Sequence, residues 1–292
     1  MPAAQRWKSR HGSSAALNCE SGNAAVNEPA DTRQSEVDSI PPFPRVRDIG
    51  FGAPFHWLAR GLDDLKAAPG PSLFYGACFA LMGFLISVVF RHAYAYVSAL
   101  VSGFLLVGPF VALGLYELSR RHEAGEALHL GPSLTAWHRN AGSIGVYSVI
   151  VMVVFLVWAR ASLVVFALFY TSEMPTVTGF MQQVVSLENI EFVAVYCVVG
   201  LLFAAIVFAV SVVSIPLMLD RGQDAVTAMI ASTNALFRNF PQLLMWAVLI
   251  VALTAVGFAT FFLGLIVLMP IIGHATWHAY RDLVEPMPVS SA

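Results

Sequence analysis

Two histidines near the end of the chain have the spacing of a ligand pair. The stretch GHATWHAYRD places His274 and His278 four residues apart, on one face of a helix. Neutral imidazole is a common metal ligand, so the pair is a candidate site for a metal ion or a haem. A zinc-protease motif would need a glutamate directly after the first histidine, where Ala275 stands instead. We favour a second interpretation, in which both rings form hydrogen bonds at the membrane surface, beside Trp277 and Tyr280.

Charged residues that follow three prolines form a second candidate set. Pro109, Pro216 and Pro270 each lie in an apolar run, and each is expected to kink a helix because proline removes one backbone hydrogen bond. The residue eight positions after each proline is polar, and polar residues also stand at offsets four and eleven except for Leu113; these offsets share one face of a helix. If the three runs pack around a common axis, these residues form a charged surface at one end of the molecule. We call this surface the cuff; its residues are Glu117, Arg120, Asp220, Arg221, His274, His278 and Arg281.

The middle part of the cuff has a second interpretation. Gly222 favours the end of a helix, which would leave Asp224 as the N-cap of the next one. The helical register of the cuff is therefore expected for the first and third runs only. Within the cuff we expect opposite charges to join the last helix to the other two, with His274, His278 and Arg281 facing Asp220 and Glu117.

The composition is typical of a membrane protein. Of the 292 residues, 58% are hydrophobic and 12% are charged, whereas a soluble domain carries about 25% charged residues. The last apolar run is either one overlong helix or a hairpin that turns near Gly257. The runs long enough to cross a bilayer core of about 30 Å are 72–90, 94–116, 143–170, 193–219 and 243–272.

The positive charges favour six spans over five. With six spans and the N-terminus in the cytosol, 14 of the 16 lysines and arginines lie in cytosolic segments, as the positive-inside rule requires. Five spans would place Arg281 outside. Six spans with both termini cytosolic are therefore the prediction.

Arg160 stands near the far end of its apolar run. We place it at the outer interface, about 26 Å along the span, with residues 161–170 lying shallow or forming a re-entrant turn. Its expected partners are Glu188 and Glu191. A helix that runs straight to Tyr170 would instead put the charge inside the membrane and make Arg160 a functional candidate.

An internal repeat predicts the architecture. SLTAWHRN at 133–140 and STNALFRN at 232–239 share the pattern S-x-x-A-x-x-R-N, and GLDDLKAA at 61–68 is a more degraded third copy. Each copy has the pattern of a short amphipathic helix, which lies at the membrane surface or packs on other protein. The sequence therefore predicts an all-α, polytopic membrane helical bundle. Its six spans would form three repeats of an interfacial helix plus a transmembrane hairpin.

The chain divides into three regions of different composition. Residues 1–45 are polar, with few large apolar side chains, and are expected to form a disordered cytosolic tail. Residues 46–285 are expected to form the six-span membrane domain. Residues 286–292 would be a second, short cytosolic tail.

Several stretches resemble a bacterial family of predicted integral membrane proteins, the domain of unknown function 2189. They are GFLLVGPFVALGLYELSRRHEAGE, AVSVVSIPLMLDR and GHATWHAYRDL, with WLARGLDDLKAAPGPSLFYG similar to the start of the family. The resemblance spans roughly residues 45–285 and implies a location in the bacterial inner (cytoplasmic) membrane. It supplies no activity. The motif positions that it carries over are Gly108, Pro109, Glu117, Arg120, Asp220, Arg221, His274, His278 and Arg281.

The function class follows mainly from what the sequence lacks. No acidic residue lies deep in an apolar run, and there is no glycine-rich phosphate loop or hydrolase signature, so we expect no enzymatic activity. The leading hypothesis is a non-enzymatic membrane protein that binds or passes a small ligand or lipid. One alternative is an accessory or scaffold protein that organises lipids or partners, and another is a metal- or haem-binding protein. The lipid bilayer is an expected partner and nucleic acid is not, while protein partners and oligomeric state stay open.

Overall fold

The computed structural model describes residues 44–92, 97–169 and 190–286. Of this part, 85% is helical and none is in a strand. The predicted tails at the two ends of the chain lie almost wholly outside the described residues, as does Glu188. A 3-10 turn, Ala136–Arg139, lies between the fourth and fifth helices. The helices are α1 Ala53–Ala67, α2 Pro69–His92, α3 Val97–Glu123, α4 Leu130–Leu134, α5 Ala141–Phe169, α6 Ile190–Ser211, α7 Ser214–Arg221, α8 Ala225–Arg238, α9 Phe240–Ala259 and α10 Leu265–Leu283.

Five segments of this helical part are long and apolar enough to cross a membrane. Their mean hydropathies range from 1.7 to 2.8, and at most a third of each apolar stretch is buried inside the molecule. Large side chains such as Leu168, Leu201 and Val251 are therefore exposed. Lipid chains accommodate such a surface without the free-energy cost that water would impose. The five segments are Pro69–His92, Leu100–Glu123, Ala141–Phe169, Ile190–Arg221 and Phe240–Ala259.

The longest apolar run of the sequence forms two helices rather than one overlong helix. Helix α9 ends at Ala259, and the chain turns before α10 begins at Leu265. Phe261 and Phe262 adopt positive φ angles of 53° and 68° in this turn. The hydroxyl of Thr260 accepts a hydrogen bond of 2.9 Å from the backbone N–H of Gly264, which closes the turn. The hairpin interpretation is correct, with the turn a few residues beyond Gly257.

The middle proline lies beside a break in the helix. The ring of a helical proline clashes with the carbonyl four residues earlier, which for Pro216 is Val212. The helix is interrupted at Val212 and Val213, between α6 and α7. Pro109 and Pro270 lie inside helices that continue past them, so kinks there stay predictions.

Helix α7, which contains Pro216, also ends early, as Gly222 indicated. Gly222 caps the C-terminus of α7 with a φ of 64°. Asp224 then caps the N-terminus of α8, where its side chain accepts a hydrogen bond from the backbone N–H of Thr227. The second interpretation of the middle of the cuff is therefore confirmed.

Helix α5 runs without interruption past Arg160. It continues to Phe169, so the predicted re-entrant turn is wrong for residues 161–169. Arg160 is exposed on the helix surface. It lies about 28 Å from the start of the helix, a distance close to the thickness of a bilayer core, about 30 Å, and its place at the outer interface stays a prediction.

The two ends of the described chain meet on one side of the molecule. Val46, before α1, and Val284, after α10, form an isolated antiparallel bridge. The N–H of Arg47 donates to the carbonyl of Leu283 at 2.8 Å, and the N–H of Glu285 donates to the carbonyl of Arg45 at 3.0 Å. The chain therefore enters and leaves the helical bundle at the same end.

Glycines let α10 approach its neighbours closely. A Cβ on Gly61 of α1 would lie 2.7 Å from the carbonyl oxygen of Ile271, and one on Gly76 of α2 would overlap the carbonyl of Ile266. Ile266 stands four residues before Pro270, so its carbonyl lacks the usual backbone donor of a helix. Helices α1, α2 and α10 therefore pack with their backbones in contact, and this packing positions the polar side chains described next.

Candidate functional site

A buried aspartate of α1 is the centre of a polar cluster. Asp64 is 5% exposed. Its Oδ1 accepts a hydrogen bond from Nδ1 of His122 at 2.6 Å, and its Oδ2 accepts one from Nε2 of His278 at 2.9 Å. The hydroxyl of Ser119 donates to the same Oδ2 at 2.5 Å. Helices α1, α3 and α10 thus converge on one carboxylate.

A chain of hydrogen bonds leads from this carboxylate to a second serine. Ser119 Oγ lies 2.7 Å from Nδ1 of His274, and Ser72 Oγ lies 2.9 Å from Nε2 of the same ring. Because the Ser119 hydroxyl gives its proton to Asp64, its oxygen accepts from His274 Nδ1–H. Neutral His274 then accepts from the Ser72 hydroxyl through Nε2. We call Ser72, His274, Ser119, Asp64, His278 and His122 together the Asp64 cluster.

The electrostatics of the cluster favour an ionised aspartate. Burial alone would raise the pKa of Asp64, but hydrogen bonds from His278, Ser119 and His122 outweigh it and lower the pKa to about 2. A buried carboxylate without such donors would be costly. The cluster therefore holds a negative charge in the interior, with the donors that stabilise it supplied by α3 and α10.

The outer side of the cluster connects to the cuff through Glu123. His278 Nδ1 is buried and has no hydrogen-bond partner, and it lies 3.6 Å from Oε1 of Glu123. Arg281 Nε lies 3.2 Å from the other oxygen of Glu123. Arg281 Nη1 is also 3.8 Å from Oδ2 of Asp220. Arg281 therefore joins α3, α7 and α10.

A second cluster is built on Glu117, which is 1% exposed in α3. Arg120 contacts both of its oxygens, at 2.8 and 2.9 Å, and Arg121 Nε lies 2.9 Å from Oε1. Arg139, from the 3-10 turn, reaches the same carboxylate with Nη1 at 3.1 Å and Nη2 at 3.3 Å. Glu126 adds a second carboxylate near Arg120 and Arg121, at 3.4 and 3.2 Å. We call these five residues the Glu117 cluster.

A third group joins α7 to α10. The hydroxyl of Tyr280 donates to Oδ2 of Asp220 at 2.6 Å and accepts from Nε of Arg221 at 3.1 Å. Arg221 also donates to the backbone carbonyl of Glu285. The group fixes the end of α7 against the last helix.

The cuff residues thus lie at one end of the molecule, but in three clusters with partners other than those expected. The two histidines contact Asp64 rather than Asp220 or Glu117, and Glu117 is paired with arginines. Of the expected cross-helix pairs, the structure brings together only Arg281 and Asp220. Asp64 was missed because it stands beside the exposed Asp63 in a degraded repeat. Its helical spacing from the buried Trp57 and Gly61 was the signal available in the sequence.

The predicted metal site depends on His274 and His278. Across the described ranges, no three His, Cys, Asp or Glu side chains form a group that could hold a metal ion. Both ring nitrogens of His274 bond serines. His278 Nδ1 remains available, because that residue bonds Asp64 through Nε2. Metal binding by this pair stays a prediction.

Two cavities lie between the helices. One, of about 300 Å³, is open to the surface between α3, α5 and α6, and its apolar lining includes Leu105, Phe155, Trp158 and Ala204. The other, of about 530 Å³, lies between α6 and α8, beside Met229. Each is large enough to accept part of a small apolar molecule.

The exposed apolar helices and the polar clusters at one end define a multi-pass, α-helical integral membrane protein. Residues 97–220 match the model of the family described as "Predicted integral membrane protein (DUF2189)". The resemblance predicted from the sequence is confirmed over this segment, which holds Glu117, Ser119 and Asp220 but not Asp64 or the two histidines of α10. No curated protein and no solved structure matches the chain.

Proposed function

We propose that the chain crosses the bacterial inner membrane six times, with both termini cytosolic and α10 as the sixth span. The bridge between Val46 and Val284 supports an even number of crossings, because both ends of the described chain lie on the same side. Helix α10 is apolar from Leu265 to Ile272 and polar from His274 onward, where α1 and α3 bury its polar groups. This shielding explains how a span with low average hydropathy is tolerated.

Cysteine labelling tests this topology in a cysteine-free background. Phe261, which is 87% exposed, lies in the turn between α9 and α10 and is replaced by cysteine in the first variant. Lys66→Cys replaces an exposed side chain near the polar clusters. A membrane-impermeant maleimide added to intact cells is expected to label the first variant and not the second. Labelling of Lys66→Cys from outside would overturn the topology.

We further propose that the six spans are three related units arranged in a ring. In the two better-preserved copies of the repeat, the serine and alanine are buried: Ser133 and Ala136 in one, Ser232 and Ala235 in the other. Ser232 donates to the backbone carbonyl of Ala209 in α6, at 2.7 Å.

The contacts between units support this cyclic order. The interfacial element of each unit contacts the second span of another: α1 contacts α10, the 3-10 turn contacts α3, and α8 contacts α6. Asp64 stands where the other copies have the buried alanine, so the third junction carries a charge in place of a methyl group. On this proposal the Asp64 cluster closes the ring.

For the activity, we propose that the protein binds a lipid acyl chain, or a small apolar ligand of similar shape, between α3, α5 and α6. The observation that carries this proposal is the cavity of about 300 Å³ with an apolar lining. An occupant without polar groups is favoured, because a polar one would lose its hydrogen bonds with water and gain few in return. Since these helices expose their apolar surfaces to the bilayer, acyl chains are the most abundant candidate.

Filling the cavity tests the proposal. Ala204→Phe places a large side chain in the cavity, while Ala205→Phe changes the next residue of α6, which does not line it. Native mass spectrometry of the purified protein counts the phospholipids that it retains. The expected result is one retained phospholipid fewer for Ala204→Phe, with the count of Ala205→Phe equal to that of the wild type. Equal counts in all three proteins would contradict the proposal.

Metal binding is the second candidate function, and one observation favours it. His278 donates Nε2–H to the carboxylate of Asp64 and leaves Nδ1 without a partner. Metal-binding histidines commonly have this carboxylate partner on the second nitrogen. Elemental analysis of the purified protein tests this candidate. A metal at one equivalent per chain would favour it, and its loss in His278→Ala would assign the ligand.

A further inference from the structure

The Glu117 cluster carries more positive than negative charge. Three guanidinium groups, from Arg120, Arg121 and Arg139, share two carboxylates, which leaves one net positive charge. The side chains of Arg120 and Arg121 are 21% and 18% exposed, whereas that of Arg139 is 47% exposed. Two of the five N–H donors of Arg139 point to Glu117. The excess charge is therefore presented to the outside mainly by Arg139.

The neighbours of Arg139 set its depth in the membrane. Trp137 precedes it by two residues, is 37% exposed and packs edge-on against Phe110 of α3, with ring centroids 6.2 Å apart. Leu134, in the same surface segment, is 45% exposed. Tryptophans with one apolar and one polar side favour the boundary between lipid chains and water. Arg139 accordingly lies at the level of the phospholipid headgroups.

We infer that Arg139 binds the phosphate of an anionic phospholipid in the leaflet that faces this end of the protein. Its planar guanidinium matches two phosphate oxygens, and Trp137 and Leu134 contact the first methylenes of the same lipid. Glu117 orients Arg139 by holding one edge of the guanidinium. This site is separate from the cavity between α3, α5 and α6. It selects lipids by the charge of the headgroup, whereas the cavity selects for an apolar chain.

Lipid retention from two defined mixtures tests the inference. The protein is equilibrated in micelles with phosphatidylglycerol or with phosphatidylcholine of the same chains, and native mass spectrometry measures the retained lipid. Arg139→Gln is expected to lower the apparent affinity for phosphatidylglycerol by about five-fold, the effect of one arginine at a membrane surface. Affinity for phosphatidylcholine should not change. Equal retention of phosphatidylglycerol by the wild type and Arg139→Gln would overturn the inference.

Arg238→Gln is the matched control. Arg238 occupies the same position of the repeat, is 49% exposed, and lies beside the exposed Phe237, but its charge is neutralised by Asp48, which pairs with it at 2.6 Å. The Arg238→Gln substitution should therefore leave phosphatidylglycerol retention unchanged. A loss of the same size in Arg238→Gln would show a general effect of surface charge and would contradict a specific site.

A second variant separates a lipid from free phosphate. Trp137→Gln keeps the charge but removes the apolar contact, so it should also weaken phosphatidylglycerol retention. Millimolar inorganic phosphate should not displace the lipid from the wild type. Displacement by phosphate together with normal retention in Trp137→Gln would show that the site serves a soluble anion.

Discussion

His278, in the last helix, donates a hydrogen bond of 2.9 Å from Nε2 to Oδ2 of Asp64, in the first helix of the described chain. The two residues are 214 positions apart in sequence. Their contact therefore joins the two ends of the helical bundle, and it does so around a carboxylate that is 5% exposed. A polar contact at this depth is sensitive to the loss of either partner, because the remaining group is left buried.

Asp64→Ala is expected to destabilise the protein strongly. The change leaves His278, His122 and Ser119 without their shared acceptor, and removing one partner of a buried charged pair costs about 3–5 kcal/mol. Thermal unfolding in detergent measures the effect. Asp63→Ala is the control. The Asp63 side chain is 66% exposed and pairs with Lys66, at 3.0 Å. Equal melting temperatures for the two variants would contradict a structural role for the Asp64 cluster.

The same cluster should make stability depend on pH in the acidic range. Hydrogen bonds hold the folded pKa of Asp64 at about 2, below its ordinary value of 3.8, so the ionised carboxylate stabilises the folded state. This contribution, about 2 kcal/mol, is fully present above pH 4 and is lost as the pH falls from about 4 to about 2. The difference in stability between the wild type and Asp64→Asn should shrink over this range. A difference that stays constant or grows as pH falls would contradict the assignment.

The positions of the spans were readable from the sequence, but the partners of the polar residues were not. Run length and hydropathy located the five apolar segments, and Gly222 with Asp224 marked a helix end and a helix start through local chemistry. Arg120 and Arg121 pair with Glu117 at offsets of three and four, which local spacing also favours.

The contacts between elements that are distant in the sequence could be found only from the folded structure. Arg139 reaches Glu117 from another element, and Asp64 reaches His278 only when α1 packs on α10. From the sequence alone, Asp63 and Asp64 are equally good candidates for the partner of His278. Burial distinguishes them, and burial depends on the close approach at Gly61, a tertiary feature. Helix α5 likewise continues past Arg160, and no local signal in the sequence shows whether the helix ends there or continues.

Close helix packing at Gly76 gives a third prediction. A methyl group there would overlap the carbonyl of Ile266, so Gly76→Ala should separate α2 from α10 and lower the melting temperature. Backbone atoms cannot move aside as a flexible side chain can, and overpacking of this kind costs about 1–3 kcal/mol. Gly108→Ala is the control, because a Cβ at Gly108 of α3 meets no heavy atom within 4 Å. A larger loss of stability in Gly108→Ala than in Gly76→Ala would contradict the packing described.

His274→Ala distinguishes a structural role for the histidine pair from a metal-binding one. The ring of His274 is fully buried and bonds Ser72 and Ser119, so its removal leaves the buried hydroxyl of Ser72 without its acceptor and opens a cavity, while Ser119 keeps its hydrogen bond to Asp64. An unsatisfied buried polar group costs about 1–3 kcal/mol, and the melting temperature should fall accordingly. Under the structural role, a chelator such as EDTA leaves the melting temperature of the wild type unchanged, and the effect of His274→Ala is the same with and without it. His56→Ala serves as the control, because His56 is exposed on α1. A stoichiometric metal that is lost in His274→Ala, together with a chelator-sensitive melting temperature, would show that the pair is a metal centre and that its hydrogen bonds to serine are secondary.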